Sequence, residues 1–200
     1  MPSPNSSLRS TSSDSSEGAP VGEIREQAAG VTLGMERWRR YVSAFDRVLH
    51  CIEHGYQLEA VAILDSLITD RLTSRLGYLQ GCEPPARALG QLCRSLVGSK
   101  ENSKDPGLER DDEFRTVIME IRAWAEERNH AIHATAKIFR NDDPIVSFDD
   151  VITAHKHTAV RGVSLLQRFD LLDTAARRKA RRIPASAPYA FFPEKRPGRA

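Results

Sequence analysis

Two hundred residues with 40% hydrophobic and 28% charged content describe an ordinary globular chain, sized for one core plus tails rather than two domains. No apolar run approaches the roughly eighteen residues of a spanning helix, which excludes a membrane partner of that kind, and the 6% aromatic content speaks against a large aromatic ligand pocket. A formal net charge of +2 is too small for whole-molecule attraction to nucleic acid, although the basic excess is gathered near one terminus.

Residues 1–30 are rich in Ser, Pro and Gly and poor in large apolar groups, so they cannot offset the entropy of ordering and are expected to form a disordered tail. They lack the apolar core of a secretory signal, and Asp14 and Glu17 argue against a transit peptide, which makes a cytoplasmic location the expectation. Cys51, Cys82 and Cys93 show no CxxC spacing and read as reduced thiols. Cysteines and histidines do not cluster at ligand spacing, so neither a metal nor another cofactor is expected.

From Met35 to about His54, Trp38, Tyr41, Val42, Phe45, Val48, Leu49 and Ile52 recur every three or four residues, predicting a first amphipathic helix that Gly55 ends. A second helix runs from about Tyr56 to Leu79, and its apolar residues Leu58, Val61, Ile63, Leu64, Leu67, Ile68, Leu72 and Leu76 cover more than one stripe, as in a centrally buried helix. Gly81 and Pro84-Pro85 break the chain before a shorter third helix over Ala86–Val97. The polar, charged stretch from Gly98 to Asp111 reads as a mobile connection.

A fourth helix is expected over about Asp112 to Phe139, with acidic residues at the positive end of its dipole. Ser147, three residues before Asp150, then opens a fifth helix that extends to about Ala180 and packs through Val151, Ile152, Val160, Val163, Leu166, Phe169 and Leu172. The Ile183-Pro184 step should end any remaining regular structure. The expected fold class is all-α, an antiparallel bundle of about five helices over residues 31–176, followed by a basic, Pro-containing tail over 177–200. Arg177, Arg178, Lys179, Arg181 and Arg182 in that tail could bind phosphates of a nucleic acid, or form a solvated helix end.

On the fourth helix, Phe114, Val117, Ile121, Trp124, Ala125, Ile132 and Phe139 share one face at roughly 100° per residue, and Arg128 falls inside that stripe. A guanidinium cannot discard its charge, so on an apolar face it calls for a partner or an interface. Asn129 and His133, four residues apart, share a flank about 100–140° away from Arg128. Two copies of the helix docked about a two-fold axis would bring two sets of Arg128, Asn129 and His133 into one cleft. Imidazole exchanges protons near neutral pH, guanidinium pairs with phosphate oxygens and a carboxamide orients either group, which together are the tools for cleaving RNA without metal.

The segment Glu127-Arg128-Asn129-His130-Ala131-Ile132-His133 resembles the signature of the HEPN family, an arginine followed by a polar residue and, four to six residues on, a histidine. The preceding Trp124-Ala-Glu-Glu and the AVAILDSLITDRL run of the second helix are also similar to bacterial members, and the resemblance covers about residues 35–175. It implies a homodimeric helical bundle with a composite ribonuclease site acting on RNA, often with an antitoxin or phage-defence partner. In its catalytic form, Arg128, Asn129 and His133 carry the chemistry, with His130 and Asp65 as secondary candidates; in its non-catalytic form, the same module binds a nucleotide, RNA or a protein partner.

Blander assignments stand beside these. Arg128 can be a structural arginine paired with Asp65 of the second helix, and His133 a surface histidine. His130 reads as a solvated or substrate-edge residue, and His155 and His157, two apart, as solvated rather than a metal pair. Trp38, Tyr78 and Trp124 read as packing groups.

Overall fold

A computed structural model describes residues 31–99, 105–134 and 147–196. Among these residues the chain forms helices α1 (Val31–Glu53), α2 (Gln57–Gln80), α3 (Leu89–Val97), α4 (Asp112–Ala134) and α5 (Phe148–Lys179), then a single 3₁₀ turn at Pro193–Lys195, with no strand. The fold class is therefore the expected one. The expected tail over 1–30, the last turn of the fourth helix with Phe139, and Arg199 lie outside the described residues. None of the described helices is long and apolar enough to cross a membrane.

The stop and start residues act as the sequence predicts. Gly55 and Gly81 take positive φ at the ends of α1 and α2, and the Ser147 hydroxyl accepts the Asp150 backbone N–H at 3.1 Å to cap α5. The third helix begins three residues late, because Pro84 is buried against Gly77 and the chain stays extended through Ala88.

Cross-helix pairs set the direction of each element. Arg47 of α1 meets Glu59 of α2, Arg75 of α2 meets Phe114 of α4, and Trp124 of α4 donates to the Thr158 carbonyl of α5 at 2.8 Å. The four long helices thus run alternately up and down, with α2 parallel to α5 and α3 crossing between α2 and α4. Phe45, Leu64, Ile68, Leu72, Ile118, Trp124 and Phe169 fill the core. Gly162 lets α5 approach the indole: a Cβ there would lie 2.9 Å from a ring atom of Trp124.

Polar seams join the helices. The half-buried Arg71 of α2 pairs with Asp173 at 2.7 Å and Asp170 at 3.0 Å on α5, and Tyr41 of α1 donates to Asp70. Buried Arg75 pairs with Glu109 at 2.7 Å, and the second oxygen of Glu109 accepts the backbone N–H groups of Arg110 and Asp111. A carboxylate satisfied on this many sides tolerates burial that an unpaired one would not.

That last pair corrects the expectation of a mobile loop for its described part. Leu108 and Glu109 donate to the carbonyls of Ser95 and Leu96, and Arg115 bonds the carbonyls of Pro106 and Glu109. Gly98, at φ +84°, admits this return, since a Cβ there would lie 1.9 Å from the Asp105 carbonyl oxygen.

The C-terminal segment needs a second correction. The packed helices are expected to end near residue 176, yet Ala190, Phe191 and Phe192 are buried and Phe191 packs edge-on against Phe45 and at a tilt against Tyr41. Arg196 closes the strap on α1 through Asp46 at 2.6 Å. On α5, Leu166 and Phe169 are buried as expected, whereas Val160 is exposed and Ala159 and Leu165 are buried in addition.

Cys51 and Cys93 are buried and Cys82 is exposed. Burial raises the Cys51 thiol and pushes that of Cys93 up to about 12 against the opposing pull of Arg122, so neither presents a thiolate. A thiol alkylating agent is therefore expected to modify one cysteine of the folded protein, and peptide mass mapping should place it at Cys82. Rapid labelling of Cys93 would contradict this packing.

Candidate functional site

The alternating helix directions gather the C-terminal ends of α1 and α4 with the N-terminal ends of α2 and α5. Arg128 lies at this end, on the inward stripe of α4. Its guanidinium meets Asp65 of α2 at 2.7 Å and donates to the side-chain oxygen of Asn129 at 2.8 Å. The Arg128 and Asp65 side chains keep 17% and 31% of their surface exposed, so the pair is sheltered without being sealed. Burial raises the Asp65 carboxyl above the ordinary carboxylate range, and Arg128 opposes that rise.

The structure thus brings Asp65, Arg128 and Asn129 together. His133 lies one turn beyond Asn129 with its side chain exposed. Ile132, expected in the apolar stripe, is instead 38% exposed, while its neighbour Ala131 is buried.

His155 is a correction. The sequence places it in solvent, yet it is 6% exposed and its Nε2 has no hydrogen-bond partner. Its basicity is lowered, first by burial and then by the charge of His130 across the α4–α5 contact. All six histidines of the chain stand at this end of the bundle: His50 on α1, His54 in the turn that follows it, His130 and His133 on α4, and His155 and His157 on α5. Sequence patterning missed this because an interval of two residues excludes a shared helical face without showing whether either residue is buried.

A folded His155 that resists protonation favours the native state above the ordinary histidine value of 6.5, and this contribution is lost as pH falls toward its lower folded value, where the unfolded chain binds the extra proton first. Melting temperature should fall between about pH 7.5 and about pH 5, and His155→Leu should make that fall shallower. An unaltered slope in the variant would exclude this histidine as the source.

The basic cluster lies elsewhere. Arg177 bonds Asp173 at 2.9 Å and Ser74 at 3.0 Å, and Arg178 bonds the Tyr189 hydroxyl and the Ala187 carbonyl, each at 2.7 Å. Two of the five cations expected either to meet phosphates or to be solvated thus bond within the chain, while Lys179, Arg181 and Arg182 are exposed. From His155, beside His130, to Arg177 is 22 residues of one helix, about 33 Å at the usual rise. The cluster and Arg128 occupy opposite ends of the chain's fold and share no site within one copy.

On its other side Arg128 borders a groove of about 440 Å³ between α3 and α4, which Arg94, Arg122 and Asn129 also line. Arg122 donates to the Gly98 carbonyl at 3.0 Å. Among the described residues no group of three or more His, Cys, Asp or Glu side chains is placed to hold a metal ion. Set against known proteins, the chain matches no family model, no curated protein and no solved structure.

Proposed function

We propose that the chain is a metal-independent endoribonuclease of the HEPN type, acting in the cytoplasm as a homodimer, in toxin–antitoxin or antiphage defence. The observation that carries this reading is the Arg128 guanidinium, oriented by Asp65 and Asn129 at the same helix end that leaves His133 exposed. A cation held in place before the substrate arrives needs no reorganisation when charge develops on a phosphate, and that is where electrostatic catalysis is strongest.

In this reading one His133 removes the proton of a ribose 2′-hydroxyl, and the 2′-oxygen forms a bond to the adjacent phosphorus. Arg128 pairs with the non-bridging oxygens of the pentacoordinate state. The bond from phosphorus to the 5′-oxygen then breaks, and the leaving oxygen takes a proton from the second copy's imidazole. The products are a 2′,3′-cyclic phosphate and a 5′-hydroxyl. His130, three residues before His133 on the same helix, is the rival candidate for the base.

A second reading is a non-catalytic module in which the same residues bind a nucleotide, RNA or a protein. The Asp65 pairing favours it to the extent that a purely structural arginine makes the same contact. RNA incubated with the full chain in chelator separates the two: cleavage with cyclic phosphate ends, and none of a 2′-deoxy substrate, supports the enzyme. Binding without cleavage supports the module. A monomeric mass under the conditions of cleavage would remove the composite site.

A further inference from the structure

We infer that the groove between α3 and α4 is a second phosphate-binding site, which takes the backbone of an RNA strand running on from Arg128. Three guanidiniums, from Arg94, Arg122 and Arg128, line it against a single carboxylate, Glu126. Its volume of about 440 Å³ falls within the roughly 300–1,000 Å³ usual for small-ligand sites, enough for a nucleotide unit.

The arginines reach the groove from separate anchors. Arg122 is tethered to the Gly98 carbonyl and Arg128 to Asp65, so both cations are positioned from behind. Tethered cations lose less freedom on binding an anion than free ones do. Ala88, the residue preceding α3, offers no side-chain cap, and although the Gln91 N–H bonds the Ala88 carbonyl at 2.9 Å, the first turn, from Ala88 to Gln91, lines the groove with the positive end of the helix. Gly90 in that turn has open space where a side chain would stand: a Cβ there would meet nothing within 4 Å. Positive dipole end and guanidiniums thus act on the same space, and both favour an oxyanion.

Sequence spacing hides this site. Arg94 and Arg122 belong to different helices, and neither breaks the pattern of its own helix as Arg128 does. Phosphate is the shared chemistry of a strand and of a free nucleotide. The continuity of the groove with Arg128 and Asn129 favours the strand. The choice of strand rests on the ribonuclease reading; the affinity for phosphate does not.

The test uses the full chain carrying His133→Ala, so that bound RNA is not consumed. Binding of a labelled single-stranded RNA is measured against salt concentration, with and without Arg94→Glu. Loss of one phosphate contact should weaken binding about tenfold and make the slope of log affinity against log salt shallower by about 0.7. Gly90→Asp is the second variant, since an acidic residue in the first turn of a helix favours the helix itself while repelling phosphate from the groove. Weakening by both variants, with unchanged melting temperatures, supports the site; unchanged affinity and slope in both overturn it.

A nucleoside monophosphate added as competitor distinguishes the source. If it binds as tightly as the RNA and with the same dependence on Arg94, the ligand is a free nucleotide and the strand assignment fails. Weak competition supports the strand. The two readings fail separately: an RNA that binds through Arg94 but is never cut by the wild-type chain sinks only the nuclease, and cleavage indifferent to both groove variants sinks only the groove.

Discussion

His133→Ala is expected to lower the rate of RNA cleavage by about 10²- to 10⁴-fold, the range that a positioned general base contributes. The substitution suits the question because the side chain is exposed, so its removal leaves the core intact and the melting temperature close to that of the parent. A loss of rate with an unchanged melt therefore assigns the effect to chemistry. Cleavage that persists at the parental rate would dismiss His133 as the base and leave His130 to be tested in its place.

Arg128→Ala is a less clean probe, because it also strips Asp65 of its cation and disturbs the junction of α2 and α4. Arg128→Lys is more informative. Lysine keeps the positive charge but lacks the planar fork, so a large fall in rate with stability retained would show that paired geometry at phosphate matters more than charge.

Phe191→Ala should cost about 3–5 kcal/mol of stability, the range for emptying a fully buried aromatic site, and lower the melting temperature by about 10 °C. The ring is completely buried and packs against Phe45 and Tyr41, so its removal leaves a cavity between α1 and the strap. The backbone on either side is held by Gln167, which donates to the Phe191 carbonyl at 2.7 Å, and by Arg196, which bonds the Ala190 carbonyl and Asp46. Those anchors limit how far the chain can collapse into the gap, which places the cost toward the upper part of the range. A melt unchanged by this substitution would mean that residues beyond the last helix do not belong to the packed unit.

The helices were legible because their determinants are local. Spacing of Val61, Leu64, Ile68 and Leu72, left-handed stops at Gly55 and Gly81, and the Ser147 cap each act over a few residues, and each functions in the structure as its sequence context predicts. Arg128 was legible for the same reason, as a permanent charge out of place on an apolar stripe, and Asp65 could be named as its partner from its position beside Val61, Ile68 and Leu72.

The remainder depended on segments far apart in the chain. Phe191 reads as tail because basic and proline-rich sequence surrounds it, and its burial depends on Tyr41 and Phe45, nearly 150 positions earlier. His155 reads as solvated until α4 is laid against it, and Arg177 reads as a free cation until Asp173 and Ser74 take its donors. From the residues alone came the all-α class, the helix ends and the out-of-place arginine, since these follow from backbone sterics and the period of the α-helix. Tertiary structure alone decided which charges were paired, which histidine was buried and that the basic cluster stood at the opposite end from Arg128, because burial and pairing are properties of contacts between helices and a single helix does not encode its neighbours.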